Sequence, residues 1–156
     1  MDVAPGCRYD RATRASQIPR RMPVSLLDRR RPFLLVLGIA QDGGVPQAGC
    51  RRGCCVAARR DVRLRRHAAC VAIVDPPSRR RWLIDATPDF REQLARLDRS
   101  APVDTGPGLD GIFLTHAHTG HYTGLLHLGR EALATRDLPV FAMPRMRAFL
   151  RRHAPW

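Results

Sequence analysis

Ile112-Phe113-Leu114-Thr115-His116-Ala117-His118-Thr119-Gly120-His121 is the stretch on which the reading of this chain turns. An apolar run ends in three histidines within six residues, out of six histidines in the whole sequence. Neutral imidazole is the commonest protein ligand for metal ions. The nitrogen ligands of one zinc ion converge to about 2.0–2.1 Å from it. In an extended segment, side chains at i and i+2 point the same way. His116 and His118 can therefore reach one ion together, and His121 can approach from the turn that follows. α/β folds place ligands at the C-terminal ends of strands, where this cluster falls. The competing reading is three surface histidines in a polar turn.

The neighbouring segments supply the frame. Leu109–Thr115 reads as the strand that delivers the cluster, Tyr122–Ala134 as a helix behind it, Pro139–Ala142 as a short strand, and Pro144–His153 as a helix with Met146, Phe149 and Leu150 on one face. Upstream, Ala68–Val74 and Trp82–Ile84 are apolar runs joined through Pro76-Pro77-Ser78, which predicts a hairpin. Asp85 closes the second run. Read alone, it is either a carboxylate that orients a metal histidine or an ordinary strand-end residue. Thr87-Pro88-Asp89 predicts a helix start, with Thr87 as N-cap and Pro88 at the first helical position. Phe90, Leu94 and Leu97 follow at helical spacing.

Phe33–Ala40 is the first strand. Arg30-Arg31-Pro32 before it looks like a twin-arginine export signal, but Gln41-Asp42-Gly43-Gly44 follows in place of a small-residue cleavage site. Gln41–Gly53 is a Gly- and Pro-containing loop. Its Asp42, Gly43 and Gly44 either line a pocket mouth or form a plain turn. Val56–Arg66 reads as holding a helical turn, and residues 1–31, without periodicity, are expected to be a basic, disordered leader. Strands alternate with helices over residues 32–156, so the fold class is α/β.

The bulk numbers narrow the function classes. At 156 residues and 44% hydrophobic content, the chain can bury one core. Its net charge is +13, carried by arginine alone, since lysine is absent. Such charge favours acidic partners, including non-specific nucleic-acid binding. Aromatics make up only 6% and do not interleave with the arginines, so stacking platforms for single strands are not evident. No apolar run approaches the roughly 18–20 residues of a membrane-spanning helix. Five cysteines, an odd number with Cys50, Cys54 and Cys55 crowded together, fit a reducing compartment and a cytoplasmic protein. Those three could hold a structural zinc, with His67 as a conceivable fourth ligand, or be packing thiols. Cys70 reads as core, and His127 as solvent-facing.

Thr115 through His121 resembles the HxHxDH motif of the metallo-β-lactamase superfamily. Ile84-Asp85-Ala86 resembles that superfamily's first motif, an aspartate at a strand end. Leu37 through Gln47, Trp82 through Asp89, Thr115 through Leu126 and Leu128 through Ala132 are similar to the coenzyme PQQ synthesis protein B group within it. The resemblance implies a four-layer αββα sandwich, of which this chain would supply the N-terminal half, a mixed sheet with flanking helices, and lack the C-terminal half. It implies a divalent metal, zinc first, with iron and manganese as alternatives. His116 and His118 would serve a first ion, His121 a second or shared position, and Asp85 would support the histidines. The implied activity is metal-dependent hydrolysis or oxidative chemistry on a small-molecule or peptide substrate, in PQQ maturation or in the wider superfamily. Two departures stand out. Gly120 replaces the motif's aspartate, and the later ligands of the family have no counterpart here. The site is thus expected to need a completing chain or a homo-oligomer. Two other readings compete with an enzyme: a non-catalytic half-domain or ligand carrier, and a basic nucleic-acid-binding module.

Overall fold

Alternating burial along short β-rich segments builds a five-stranded sheet. In the computed structural model, which describes residues 30–104 and 108–153, the strands are β1 Phe33–Gly38, β2 Cys70–Asp75, β3 Arg80–Ile84, β4 Gly111–Leu114 and β5 Val140–Ala142. They lie in sequence order across the sheet. β1, β2 and β3 pair antiparallel, and β4 and β5 join in parallel. The helices are α1 Gly53–Arg60, α2 Phe90–Ser100, α3 Thr119–Tyr122 and α4 Pro144–Arg152. The leader expected over residues 1–31 falls outside the described residues up to residue 29. Among the described residues, no helix is long and apolar enough to cross a membrane.

One sheet face carries the core. Leu37, Cys70, Ala72, Leu83, Ile112 and Leu114 pack with Phe90 and Leu97 of α2, Leu125, and Met146 of α4. Each fully buried Leu, Ile or Phe contributes about 1.5–3 kcal/mol. The opposite face is also apolar. The register aligns Leu34, Ile73 and Trp82 in one row, and Val36, Val71, Ile84, Phe113 and Phe141 in the next. Leu34 is 67% exposed and Phe141 47%, so this face is left largely open.

Several local expectations are corrected. The helix predicted over Tyr122–Ala134 is instead the single turn α3 followed by a 3-10 segment, Thr123–Leu128. The reason is Gly124. Its N–H donates to Ala86 O at 3.0 Å, and a Cβ there would sit 2.8 Å from the Ala86 carbonyl carbon. The backbone is thereby drawn onto the end of β3 rather than into a regular helix. Thr87 is not the N-cap of α2; Asp89 is. Thr87 Oγ1 accepts from the Asp89 N–H at 3.0 Å and donates to Gln93 Oε1 at 2.7 Å, forming a buried turn ahead of the helix. The helical turn expected in Val56–Arg66 begins earlier, as α1, and is followed by a 3-10 turn at Val62–Leu64. His127, expected to face solvent, is half-buried. It stacks on Phe90 with centroids 5.7 Å apart.

Arg81 is the one fully buried cation among the described residues. It donates to Gly108 O and Ala101 O and so ties β3 to the end of α2. Its Nη2 lies 2.8 Å from Asp98 Oδ1, but off the angle of a good hydrogen bond.

Candidate functional site

β3 and β4 run in parallel, and both end at one place. Asp85 follows β3, and Thr115 through His121 follow β4 into α3. Asp85 has φ +68, a left-handed conformation that aspartate tolerates better than most residues. Its N–H donates to Phe113 O at 2.8 Å, while Ala86 N–H donates to His121 O at 2.9 Å. These two bonds lock the ends of the strands together before any side chain is considered.

The buried Asp85 carboxylate organises the cluster. Oδ1 accepts from the Thr115 N–H at 2.8 Å, and both oxygens lie 2.9 Å from Thr115 Oγ1. His121 Nδ1 lies 2.7 Å from Asp85 Oδ2. An ionised carboxylate can only accept, so the His121 nitrogen facing Asp85 is Nδ1–H, and Nε2 is the nitrogen turned toward Asp42 and any bound ligand. The Thr115 hydroxyl has one proton, which goes to Asp85. Its oxygen therefore accepts from His116 Nδ1, 2.9 Å away. In the same way, Nε2 is the nitrogen of His116 left for a ligand. One carboxylate thus sets the tautomers of two histidines, directly for His121 and through a hydroxyl for His116. Orientation of this kind is what metal-ligating histidines require.

The three imidazoles lie together. Ring centroids of His116 are 4.6 Å from His118 and 4.1 Å from His121. Asp42, from the loop after β1, reaches into this group. Its Oδ1 is 3.2 Å from His121 Nε2 and its Oδ2 is 3.4 Å from His118 Nδ1. The sequence placed Asp42 only at a pocket mouth, whereas the fold makes it a member of the cluster. Thr115 carries no role in the sequence reading; its signal there is a hydroxyl directly before the first histidine. Gly44, with φ +66, and the exposed Gly43 form the turn beside Asp42.

The donor chemistry suits a divalent ion: three imidazoles, two of them oriented through Nδ1, and a half-exposed carboxylate. Among the described residues, no three His, Cys, Asp or Glu side chains already stand in an arrangement able to hold an ion. The cysteine cluster does not assemble as a set of three thiolates. Cys54 is disulfide-bonded, in contrast to the expectation of reduced cysteines, whereas Cys50 and the buried Cys55 are free. Cys55 Sγ accepts from the Gln47 N–H, and His67 faces Asp89 instead, at 3.6 Å. Cys70 lies against the site from below, its thiol donating to Asp85 O at 3.4 Å. Burial, with a smaller contribution from the Asp85 charge, pushes this thiol up to about 12.

The chain is similar to several known proteins. Residues 80–156 match the family model described as a beta-lactamase superfamily domain. The chain is 33% identical over 98 residues to coenzyme PQQ synthesis protein B of Methylorubrum extorquens (strain PA1), covering 61% of this chain and 33% of the relative. The crystal structure of Zn(2+)-bound PqqB from Methylobacterium extorquens superposes with a TM-score of 0.63 at 30% identity, over 77% of this chain and 40% of that one. A diphosphatase from the PhnP family superposes with a TM-score of 0.58 at 30% identity, over 78% of this chain and 46% of that one. The chain spans 20–39% of the length of the curated relatives it matches.

Proposed function

Because this chain is a metallo-β-lactamase-fold protein close to coenzyme PQQ synthesis protein B, we propose that the cluster at the ends of β3 and β4 binds a divalent metal, zinc first, and serves hydrolytic chemistry. His116 and His121 would present Nε2, His118 would present a ring nitrogen from the more exposed side, and Asp85 would hold the tautomers. The observation that carries this reading is the buried Asp85 carboxylate, which is bonded at once to Thr115 and His121 and, through Thr115, directs His116. A buried carboxylate spent on aiming two imidazoles has little purpose in a plain surface turn.

A bound divalent ion supplies a Lewis acid and lowers the pKa of its water toward about 7. The residues of the chain then have separate duties. Asp85 keeps Nδ1 of His121 protonated, Thr115 does the same for His116, and the half-exposed Asp42 offers a carboxylate at the solvent side of the cluster. The relatives named for PQQ synthesis and for diphosphatase activity support a small-molecule substrate, either in PQQ maturation or a phosphate ester or anhydride.

The test is metal content. Wild type loaded with zinc and then desalted is expected to retain it, and the His116→Ala plus His118→Ala variant to lose it. Equal content in the two proteins would end the metal reading. A second reading, a non-catalytic domain that pairs with another chain, is favoured by the open apolar sheet face.

A further inference from the structure

We propose that Asp42 is itself a ligand of the metal, supplying from the β1 loop the carboxylate that residue 120 cannot. The proposal rests on the metal reading above and adds a donor to it. Three independent features point there.

The first is spacing. Two donors about 2.0–2.1 Å from one tetrahedral ion stand about 3.3 Å apart. His121 Nε2 and Asp42 Oδ1 are 3.2 Å apart, and His118 Nδ1 and Asp42 Oδ2 are 3.4 Å apart. Nδ1 of His121 is taken by Asp85, so it is Nε2 that faces the Asp42 oxygen. Those two atoms repel unless a proton or a cation lies between them. A cation there answers the geometry on both flanks of the carboxylate.

The second is Gly120. It is buried, and a Cβ on it would overlap the Asp42 Cα and lie 2.7 Å from Asp42 O. The backbone of Asp42 therefore occupies the space into which a side chain at position 120 would project. Residue 120 is a glycine here because another residue's main chain fills its place, and that residue brings a carboxylate.

The third is rigidity. The loop is anchored on both sides of Asp42. Ala40 pairs with Ala68, and Val45 exchanges hydrogen bonds with Arg66 at 2.7 and 2.8 Å. Gly44 N–H closes the turn on Gln41 O at 2.7 Å. An incidental surface ion pair needs no such framework, whereas a ligand does, since its atoms must be held within about half an ångström.

The experiment is zinc binding to the full chain, by competition with a chromophoric chelator, together with the visible absorption of the cobalt(II) form. Asp42→Ala and Asp42→Asn are each compared with wild type and with His118→Ala. Both Asp42 variants are expected to bind zinc at least about tenfold more weakly and to shift the cobalt spectrum, with unchanged melting of the metal-free protein. Asp42→Asn preserves shape and hydrogen bonding. Wild-type affinity in that variant would therefore overturn the ligand role even if Asp42→Ala failed to fold. Wild-type affinity in both Asp42 variants, with loss in His118→Ala, would overturn it while leaving the metal reading intact. Absence of binding by wild type would overturn both.

Discussion

Replacing Asp85 with asparagine separates the two duties assigned to it, folding and tautomer control. Asparagine tolerates the φ of +68 and keeps one oxygen, which can still accept from the Thr115 N–H and hydroxyl. Its amide group, however, now faces His121 Nδ1, where Asp85 Oδ2 stood at 2.7 Å. Two N–H donors cannot share that contact, so His121 moves its proton to Nε2 and accepts through Nδ1. A charge-assisted bond becomes a neutral one, a loss of about 1 kcal/mol. Metal binding pays far more, because the nitrogen meant for the ion now carries hydrogen. Affinity should fall at least about 10–100-fold. Asp85→Ala behaves differently. It strands the Thr115 N–H and His121 Nδ1–H at about 1–3 kcal/mol each, and adds about 1 kcal/mol for alanine in the left-handed region. Urea unfolding followed by circular dichroism, run beside zinc competition, measures both effects. The reasoning fails if Asp85→Asn retains wild-type zinc affinity, or if its stability falls as far as that of Asp85→Ala.

Two further outcomes follow from the fold. The Cys70 thiol is held near 12, against 9.0 as its ordinary value, by burial and then by the Asp85 charge. As pH rises above about 9, the unfolded thiol loses its proton while the folded one keeps it. This contribution to stability is therefore complete below about pH 9 and declines toward about pH 12. Urea midpoints at pH 7 and pH 10 should diverge less in Cys70→Ala than in wild type, and an equal drop in both would contradict the assignment. The open face bearing Leu34, Val36, Phe113 and Phe141, between 39% and 67% exposed, should drive self-association. Light scattering after size exclusion should find dimers or larger species that Leu34→Gln plus Phe141→Gln converts to monomer. A monodisperse wild-type monomer at high concentration would rule out that role for the face.

What the sequence disclosed, and what it concealed, divides along contact range. The strands were legible because each is a short apolar run whose alternation reports one buried face, as at Cys70, Ala72 and Val74. The histidine cluster was legible because its spacing is local. Asp42 was not, since it meets His121 across 79 residues of chain and no local pattern encodes that meeting. The failed helix at Tyr122–Ala134 has the same cause: Gly124 bonds back to Ala86, a partner invisible to helical periodicity. Yet the sequence did hold a trace of both contacts. Gly120 and Gly124 stand four apart in a segment otherwise suited to helix, where glycine costs about 1 kcal/mol relative to alanine. Such glycines usually have a packing reason. Here each marks a site where another backbone segment occupies the space of a side chain, Asp42 against Gly120 and Ala86-Thr87 against Gly124. Read as contacts rather than as weak helix formers, the two glycines indicate that the loop after β1 and the end of β3 both close on the histidines. That closure is the geometry on which the proposed metal site depends.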